Sequence, residues 1–246
     1  MPRFFVPASQ IDGDTVRITG EDAYHIARAL RMAVGDTLVV CDRDGGEYHC
    51  RLCRIRDEEV LCDILSSGTG HTESPLDITL YMGYPKGDKL ETVIQKAVEL
   101  GAARVVPFIS SRCVKIPKAD KAKRQGERLN RIAEEAAKQC GRSRLPQVSE
   151  PLPFADMLSA AVQAELPLFC YEGEGTTSLR AVLAHRETPR TVAVIVGCEG
   201  GFSSEEATAA TAAGCIPVGL GPRILRCETA PDYILSAVSY RYELND

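Results

Sequence analysis

The sequence lacks any long apolar stretch. No run of residues is long and hydrophobic enough to span a bilayer, and the opening residues MPRFFV lack the form of a secretory signal peptide. An excess of basic residues is also missing, since 29 Lys and Arg stand against 34 Asp and Glu and give a net charge of −5. We therefore expect a cytoplasmic protein with no membrane partner, and the overall charge argues against a nucleic-acid partner.

A dinucleotide-binding fingerprint is absent as well. No G-x-G-x-x-G follows a predicted strand with an acidic residue about twenty positions further on. This absence disfavours an NAD-binding oxidoreductase, which the alternating strands and glycine-containing loops would otherwise suit.

Cysteine, in contrast, is plentiful. Without a secretion signal, the ten cysteines indicate reduced thiols rather than a disulfide framework. Cys50 and Cys53 form a C-x-x-C within EYHCRLCRI, whose alternation predicts a strand, and residues three apart in a strand point to opposite faces. Cys41, His49 and Cys62 could add ligands only if the hairpins brought them together, and we predict no metal site.

Two segments of different pattern make up the chain. Residues 1–70 predict four or more short strands with one helix, which suggests a small β-barrel. The polar, Gly/Ser-rich stretch Ser66 to Pro75 is predicted to be a linker. Strands and helices then alternate, as in an α/β domain. The predicted domains are therefore 1–70 and 76–246.

Two glycine-broken loops define the candidate site. An apolar, β-branched run, Val192 to Val196, ends at Gly197 and leads through CEGGF to serines that can cap a helix. A second run, Cys215 to Leu220, ends at Gly221-Pro222 and continues through ILRCETA towards a last helix. Because open parallel sheets bind ligands at the carboxyl ends of their strands, we expect the loops to form two halves of one pocket.

One segment reverses the charge balance. Arg112 to Arg144 carries eleven Lys or Arg against four Asp or Glu, so it is +7 in a chain whose remainder is −12. A local basic face on an acidic protein is an electrostatic footprint for phosphates. A solvated charged helix explains the same run equally well.

Together these motifs resemble the RsmE family of ribosomal RNA methyltransferases, members of the SPOUT superfamily, over nearly the whole chain. The matching runs are MPRFFV, KGDKLETVIQKAVELGAARVVPFISSRCV, RLNRIAEEAAKQCGRSRLP, VGCEGGFSSEE and LGPRILRCETA, of which the last two are specific in combination and order. One position departs from the family, which usually has proline where Cys198 stands. The loop therefore loses proline's fixed φ, which leaves the strength of cofactor binding open.

The resemblance implies an α/β fold, with a SPOUT-type C-terminal domain tied in a deep trefoil knot and an N-terminal PUA-like β-barrel that grips RNA. It further implies a homodimer that methylates N3 of a uridine in small-subunit ribosomal RNA, free or in the assembled subunit, with S-adenosylmethionine as cofactor. The cofactor-binding residues that it implies are Gly197, Glu199, Gly200, Gly201, Leu220, Gly221, Ile224, Leu225 and Thr229.

Catalysis by such a protein needs a proton acceptor, because uridine N3 carries a proton that must leave as the methyl group arrives. A carboxylate whose pKa is raised by burial is a natural general base, and Glu199, with Glu228 as the alternative, is our candidate. Arg226 is expected either to stabilise negative charge on the uracil oxygens or to pair with Glu228. N3 lies on the Watson–Crick edge, so the target must be unpaired or flipped out.

Phosphate contacts are expected from four arginines, Arg3, Arg112, Arg142 and Arg144. A stripe of Ile234, Ala237 and Val238 on the last helix suits a dimer interface or an ordinary core equally well.

Two alternatives for the function of the chain stay open on the sequence alone. The chain could be a SPOUT enzyme acting on a ribose 2′-hydroxyl or on transfer RNA, or a non-enzymatic RNA-binding factor in ribosome assembly.

Overall fold

The computed structural model describes residues 1–114, 119–184 and 187–244. The chain divides into two compact units, one of Met1–Glu73 with Ala137–Leu145, and one of Ser74–Ala136 with Pro146–Asp246. The predicted domain boundary lies between residues 70 and 76, and the division into compact units lies between Glu73 and Ser74. The prediction gave residues 137–145 to the second domain, whereas the structure gives them to the first unit. None of the described helices is long and apolar enough to cross a membrane.

The first unit is built on a six-stranded sheet in the part of the chain that the structure describes. Its strands are β1 (Arg3–Phe5), β2 (Ile11–Asp12), β3 (Thr15–Thr19), β4 (Thr37–Cys41), β5 (Gly46–Ile55) and β6 (Glu59–Thr69). The order is β1-β4-β5-β6-β3-β2; β1 and β4 are parallel and the other neighbours are antiparallel. The hydrogen-bonded path ends at β1 and β2, so backbone hydrogen bonds do not close the predicted barrel, and the sheet is open between these two strands.

Strand β6 is longer than the sequence pattern indicated. Its end pairs with β5 in register, with Ser66 opposite His49 and Thr69 opposite Gly46. The prediction of a linker starting at Ser66 is therefore wrong for residues 66–69. These polar residues form the exposed end of a long hairpin, where hydrogen bonds to the partner strand, rather than side-chain burial, set the structure.

Apolar residues on the inner face of this sheet form the core of the first unit. Val16 and Ile18 alternate with exposed residues along β3 and are buried, as are Ala23 and Ile26 on the following helix. That helix is α1 (Glu21–Tyr24), which continues as a π-helical turn over His25–Ala29.

The C-x-x-C pair lies on β5 with its two thiols in different surroundings. Cys50 is buried and Cys53 is exposed, as residues on opposite faces of a strand should be. Among the described residues, no group of three or more His, Cys, Asp or Glu could hold a metal ion.

The second unit contains a parallel sheet with helices between its strands, which confirms the predicted α/β architecture. Its strands are β7 (Asp77–Gly83), β8 (Arg104–Ile109), β9 (Gln147–Val148), β10 (Leu152–Pro153), β11 (Leu166–Cys170), β12 (Thr177–Ser178), β13 (Thr191–Val196) and β14 (Ile216–Gly219). The order is β10-β8-β7-β13-β11-β14-β12, with β9 added beside β8. Buried apolar runs such as β11 and β13 suit a sheet covered on both faces.

The helices are α2 (Lys89–Glu99), α3 (Ala119–Cys140), α4 (Phe154–Ala161), α5 (Leu179–Ala184), α6 (Ser204–Ala213) and α7 (Ala230–Tyr242). Helix α2 buries one apolar face, and Gly101 follows the helix with a positive φ of 90°. The buried residues of this face are Leu90, Val93, Ile94, Ala97 and Val98. Asp88 and Glu91 have the residue types and spacing that predict a capping box, but the box does not form. Asp88 makes no side-chain cap, and the Glu91 carboxylate instead pairs with Arg128 at 2.9 Å.

Helix α7 packs its predicted stripe into the core of its own unit. Ile234 and Val238 of the stripe are fully buried, together with Leu235, and Ala237 is half-buried. The large side chains that remain on the surface of this helix are Tyr233, which is 48% exposed, and Tyr240, which is 75% exposed. Of the two roles left open for the stripe, the structure therefore supports the core.

Candidate active site

A cleft of about 580 Å³ opens at the carboxyl ends of the neighbouring strands β11, β13 and β14. Two loops form much of its wall: the first loop, residues 197–203, follows β13, and the second loop, residues 220–229, follows β14. The two glycine-broken turns of the sequence therefore meet in one cleft, at the edge of the sheet where parallel α/β proteins bind ligands.

Most of the residues predicted for cofactor binding or catalysis line this cleft. They are Gly197, Glu199, Gly201, Leu220, Gly221, Ile224, Leu225, Arg226 and Glu228. Gly200 and Thr229 do not line it. The Gly200 carbonyl accepts a hydrogen bond from Arg112 Nη1 at 2.8 Å, and the Thr229 amide donates to the Arg226 carbonyl at 2.9 Å.

A cluster of aromatic side chains holds the first loop against the hydrophobic core. Phe202 is buried and its ring lies 4.3 Å from that of Phe169 and 6.1 Å from that of Phe108, measured between centroids. Gly201, just before it, has a φ of +64°, and a Cβ there would approach Glu172 Oε1 to 2.8 Å. The loop thus needs a glycine to turn and a phenylalanine to hold it on the core.

The end of this loop begins helix α6. Ser203 caps the helix by accepting from the Glu206 amide, and the Glu206 carboxylate accepts from the Ser203 amide at 2.9 Å in return. The same buried carboxylate accepts from the Ser111 amide at 2.7 Å. Glu206 therefore connects the segment after β8, which carries Arg112, with the first loop.

Glu199 and Glu228, the two candidate general bases, share one cation. Lys89 Nζ lies 3.1 Å from Glu199 Oε1 and 3.2 Å from Glu228 Oε2. The Glu199 carboxylate also accepts from the Lys86 amide at 3.1 Å. The suggested pair between Arg226 and Glu228 is therefore replaced by a pair between Lys89 and Glu228.

These contacts keep both carboxylates ionised. Burial acts to raise the pKa of Glu199, but its own amide, Lys89 and the Lys86 amide together hold it below its ordinary value. Hydrogen bonds from the Cys227 thiol, its own amide and Lys89 lower the pKa of Glu228. The expectation that burial would raise the pKa of a candidate base is therefore wrong for both residues.

Arg226 lines the cleft with an exposed side chain. It makes no ion pair or side-chain hydrogen bond with any residue that the structure describes. Its guanidinium is free to meet a negatively charged group that enters the cleft.

The four arginines predicted to contact phosphate lie in different surroundings. Arg3 pairs with Glu47 at 2.7 Å, and Arg142 is buried and pairs with Glu73 at 2.7 Å. Both guanidinium groups are committed within the first unit, so the phosphate contact predicted for them is not supported by their positions. Arg112 and Arg144 are exposed. Residues 115–118 of the basic segment lie outside the described residues.

Sequence reasoning missed several residues of the cleft. Tyr171, Glu172 and Thr176 enter it from the segment after β11. The pattern held a signal for them, because this segment also follows a strand and carries the glycines of EGEGT. Lys89 gave no such signal: within KGDKLE it is an ordinary charged residue at the start of a helix.

Cys198, which stands where the resembling family has proline, lies buried in the first loop. Its thiol is a hydrogen-bond partner of the Cys113 sulfur, and the Ser110 amide donates to the same sulfur at 3.4 Å. These hydrogen bonds, which outweigh the effect of burial, lower the pKa of Cys113 to about 6. The cysteine at this position thus places a second thiol beside Cys113, on a residue that lines the cleft.

Two family models match the chain. Residues 72–239 match an RNA methyltransferase domain, and residues 18–65 match an RNA methyltransferase PUA domain. The first match contains both loops of the cleft, and the second lies within the open sheet of the first unit. Fold and site together define the class of the RNA methyltransferases.

Comparison with individual proteins identifies one family among the RNA methyltransferases. The ribosomal RNA small subunit methyltransferase E of Bacillus subtilis is 36% identical over 99% of this chain and 98% of its own length. The protein of that name from Synechocystis is 33% identical over 96% of this chain and 77% of its own length. The crystal structure of the Neisseria gonorrhoeae enzyme of that name, bound to S-adenosylmethionine, matches with a TM-score of 0.86 and 29% identity over 100% of both chains. The chain belongs to the ribosomal RNA small subunit methyltransferase E family.

Proposed function

We propose that this protein transfers the methyl group of S-adenosylmethionine to small-subunit ribosomal RNA. The observation that carries the proposal is the cleft at the carboxyl ends of β11, β13 and β14, formed by both loops of the methyltransferase domain. Its relatives are named for this activity, and one of them is bound to this cofactor.

The residues of the cleft suit the cofactor. Its adenine needs an apolar slot with backbone donors and acceptors, and Leu220 and Leu225 line the cleft beside Ile224, whose side chain is 84% exposed. Its sulfonium and ammonium groups are cationic, and Glu172, Glu199 and Glu228 contribute carboxylates to the same cleft. When bound, the cofactor supplies an electrophilic methyl group.

We assign the acceptor atom to N3 of a uridine. Glu199 is ionised at neutral pH and can accept the N3 proton, with Glu228 as the second candidate. A carboxylate of low pKa is a weak base, so the negative charge that develops on the uracil has to be stabilised elsewhere. Arg226, exposed in the cleft, is the group that we assign to the uracil oxygens.

The RNA has to present this base away from its partner strand, because N3 lies on the Watson–Crick edge. We propose that the first unit, which matches a PUA domain, grips the RNA away from the reaction. Arg112 and Arg144 are the exposed arginines that we assign to phosphates. Each should add to the salt dependence of binding, since every neutralised phosphate releases counterions.

Two further features are proposed on the resemblance to the family. The second unit would contain a deep trefoil knot, and the active protein would be a homodimer. Two exposed tyrosines of α7, Tyr233 and Tyr240, lie seven residues apart and so share one side of the helix. Aromatic residues are enriched at interfaces, so this exposed side, and not the buried stripe, is our candidate for the dimer contact.

The decisive experiment compares ribosomal RNA from cells with and without the gene by nuclease digestion and mass spectrometry. We expect N3-methyluridine to disappear from small-subunit RNA in the deletion strain and to return with a plasmid copy. A missing ribose 2′-O-methyl group, or a missing modification in transfer RNA, would assign the protein to another methyltransferase reaction.

Calorimetry separates an enzyme from an assembly factor. The enzyme should release heat on binding S-adenosylmethionine in the absence of RNA. A protein that binds RNA with a steep salt dependence but gives no heat with the cofactor would instead be an RNA-binding assembly factor.

A further inference from the structure

Lys89 enters the cleft from a third element, the first turn of α2, between the two loops. We infer that Lys89 is a positioning residue: its ammonium joins the two loops through Glu199 and Glu228, and keeps both carboxylates charged where they face the cationic cofactor. The inference rests on the proposed function, since it specifies how the same cleft receives its cofactor.

The geometry fits a bridge rather than two chance contacts. One ammonium lies within 3.2 Å of an oxygen from each loop. The turn before α2 holds Glu199 a second time, through the Lys86 amide at 3.1 Å. A single short segment, residues 86–89, therefore binds the first loop by its backbone and both loops by one side chain.

Without the Lys89 ammonium, the negative charges of the two carboxylates would face each other with little positive charge nearby to offset them. Like charges that share a site raise each other's pKa, whereas an ammonium within about 4–6 Å lowers it. Among the residues that the structure describes, the Cys227 thiol also contacts this pair and donates to Glu228 Oε2 at 3.2 Å. Arg223 and Arg226 line the same cleft, but among the described contacts neither pairs with these carboxylates.

The direction of each pKa agrees with the bridge. Hydrogen bonds to Glu199 and then to Glu228 raise the pKa of Lys89. The pKa values of Glu199 and Glu228 are lowered, in each case with Lys89 among the causes. Removing the ammonium should therefore make both carboxylates protonate at higher pH than in the native protein.

The partial exposure of the three side chains indicates that Lys89 contributes little to the stability of the fold. The side chains of Lys89, Glu199 and Glu228 are 32%, 29% and 28% exposed in these pairs. Partly solvated ion pairs add little to stability. We expect loss of Lys89 to change the titration of the cleft and its affinity for the cofactor, while the unfolding midpoint in urea stays within the spread of the controls.

The first experiment needs no ligand. Glutamate carboxyl carbons are followed by NMR between pH 3 and pH 8 in the native protein, Lys89→Met and Lys89→Arg, with signals assigned through Glu199→Gln and Glu228→Gln. Both carboxylates should titrate about one pH unit higher in Lys89→Met and return towards native values in Lys89→Arg. Lys96→Met is the matched control, because Lys96 lies on the same helix and pairs with Glu99, away from the cleft.

The second experiment measures S-adenosylmethionine binding by calorimetry for the same proteins at several pH values. Lys89→Met should bind about two- to fourfold more weakly than the native protein at pH 5, with little loss at pH 8, because carboxylates whose pKa has risen by about one unit are partly protonated at pH 5. Lys89→Arg and Lys96→Met should stay close to the native affinity.

The outcomes of the two experiments distinguish a failure of the Lys89 inference from a failure of the proposed function. Unchanged titration of both carboxylates in Lys89→Met overturns the bridge, whatever the cofactor does. Shifted titration with native affinity at every pH overturns the positioning role. If the native protein binds no S-adenosylmethionine, the proposed function fails and the positioning role fails with it, while the titration still decides whether the bridge exists.

Discussion

Cys198 shows how one side chain changes the chemistry of its neighbour. A thiol in this place can donate a hydrogen bond to Cys113, which a proline could not, and this bond is the largest cause that lowers the pKa of Cys113 to about 6. Elsewhere burial dominates: it raises the pKa of Cys50 and of Cys62 to about 12. A thiolate is the nucleophilic form of cysteine, so Cys113 should differ from the buried thiols in reactivity.

We predict that iodoacetamide alkylates Cys113 with a rate that is half-maximal near pH 6, while Cys50 and Cys62 stay unmodified. Cys198→Ala removes the donor and should move this midpoint towards the ordinary thiol value of 9.0. Cys198→Ser keeps a hydroxyl donor and should move it less. Peptide mass spectrometry gives the rate for each site. The same midpoint in Cys198→Ala and the native protein would show that the hydrogen bond is not the cause.

Glu199 is the second residue whose role can be tested alone. Glu199→Gln keeps an oxygen that can accept from Lys86 and Lys89 but removes the charge and the base. We predict that S-adenosylmethionine binding changes less than about tenfold, while turnover falls by about a hundredfold or more, the range for loss of a general base. Glu205→Gln, on the exposed first turn of α6, is the control. Native turnover in Glu199→Gln would transfer the role of base to Glu228.

The residues of the cleft differ in how far the sequence could predict them. Gly197 and Gly221 mark strand ends in the sequence itself, so the loops could be found without a structure. Lys89 could not, because nothing local connects it with carboxylates more than a hundred positions away. The pairing of Arg142 could not be predicted for the same reason: its charge is visible in the sequence, but its ion-pair partner Glu73 is not.

At the scale of elements, the start of α6 is held by hydrogen bonds to one buried carboxylate. The buried Glu206 carboxylate accepts from the amides of Ser111 and Ser203. Glu206→Ala leaves both donors unsatisfied, so we predict a loss of about 2–3 kcal/mol in the free energy of unfolding. Urea unfolding followed by circular dichroism measures it. Glu205→Ala, one residue earlier and exposed, should unfold with the native midpoint; equal losses in both variants would refute the cap.

The end of β7 supports the first loop by close approach. A Cβ on Gly83 would lie 2.4 Å from the Cys198 amide nitrogen, so Gly83→Ala must displace the loop. We predict at least a tenfold loss of S-adenosylmethionine affinity, and a cost of about 1–3 kcal/mol as for other overpacked sites. Gly126→Ala on α3 has no atom within 4 Å of the new Cβ and should stabilise the helix by about 0.5–1 kcal/mol. Native cofactor affinity in Gly83→Ala, measured by calorimetry, would contradict the close contact.

Elements were predictable where a local pattern decides them. The apolar face of α2 and the buried run of β13 follow from spacing and β-branching alone. The end of β6 was not predictable, because residues 66–69 are polar and their strand form comes from the partner β5. Asp88 had the right residue type for a cap, but its backbone, with φ −100° and ψ 9°, does not allow the bond.

At the scale of the whole molecule, the first unit is discontinuous in sequence. Residues 137–145 belong to it although the first four of them, 137–140, are the end of α3. Glu73 makes the attachment: its carboxylate accepts from Arg142 at 2.7 Å and from the amides of Ser143 and Arg144 at 2.8 and 3.0 Å. Periodicity describes single elements, so it could not predict this return of the chain.

The Glu73 cluster should make the stability of the first unit depend on pH. Burial acts to raise the pKa of Glu73, but Arg142 and the two amides together lower it below its unfolded value. The carboxylate therefore stabilises the fold above the unfolded pKa, near pH 4.5, and this contribution is lost as the pH falls through the lower, folded pKa. Glu73→Ala removes the hydrogen bonds from Arg142 and from the two amides and should cost about 2–3 kcal/mol at pH 7.

Urea unfolding from pH 3 to pH 7, with hydrogen exchange of residues 137–145 read by mass spectrometry, tests this contribution. The native protein and Glu73→Ala should differ most at pH 7 and converge towards pH 3, because both then lack the charged carboxylate. Exchange in 137–145 should accelerate in the variant at pH 7. Asp57→Ala, which removes an exposed pair with Arg28 in the same unit, should follow the native protein throughout. A constant difference between the native protein and Glu73→Ala at every pH would mean that side-chain packing, and not the charge of Glu73, holds the returning segment.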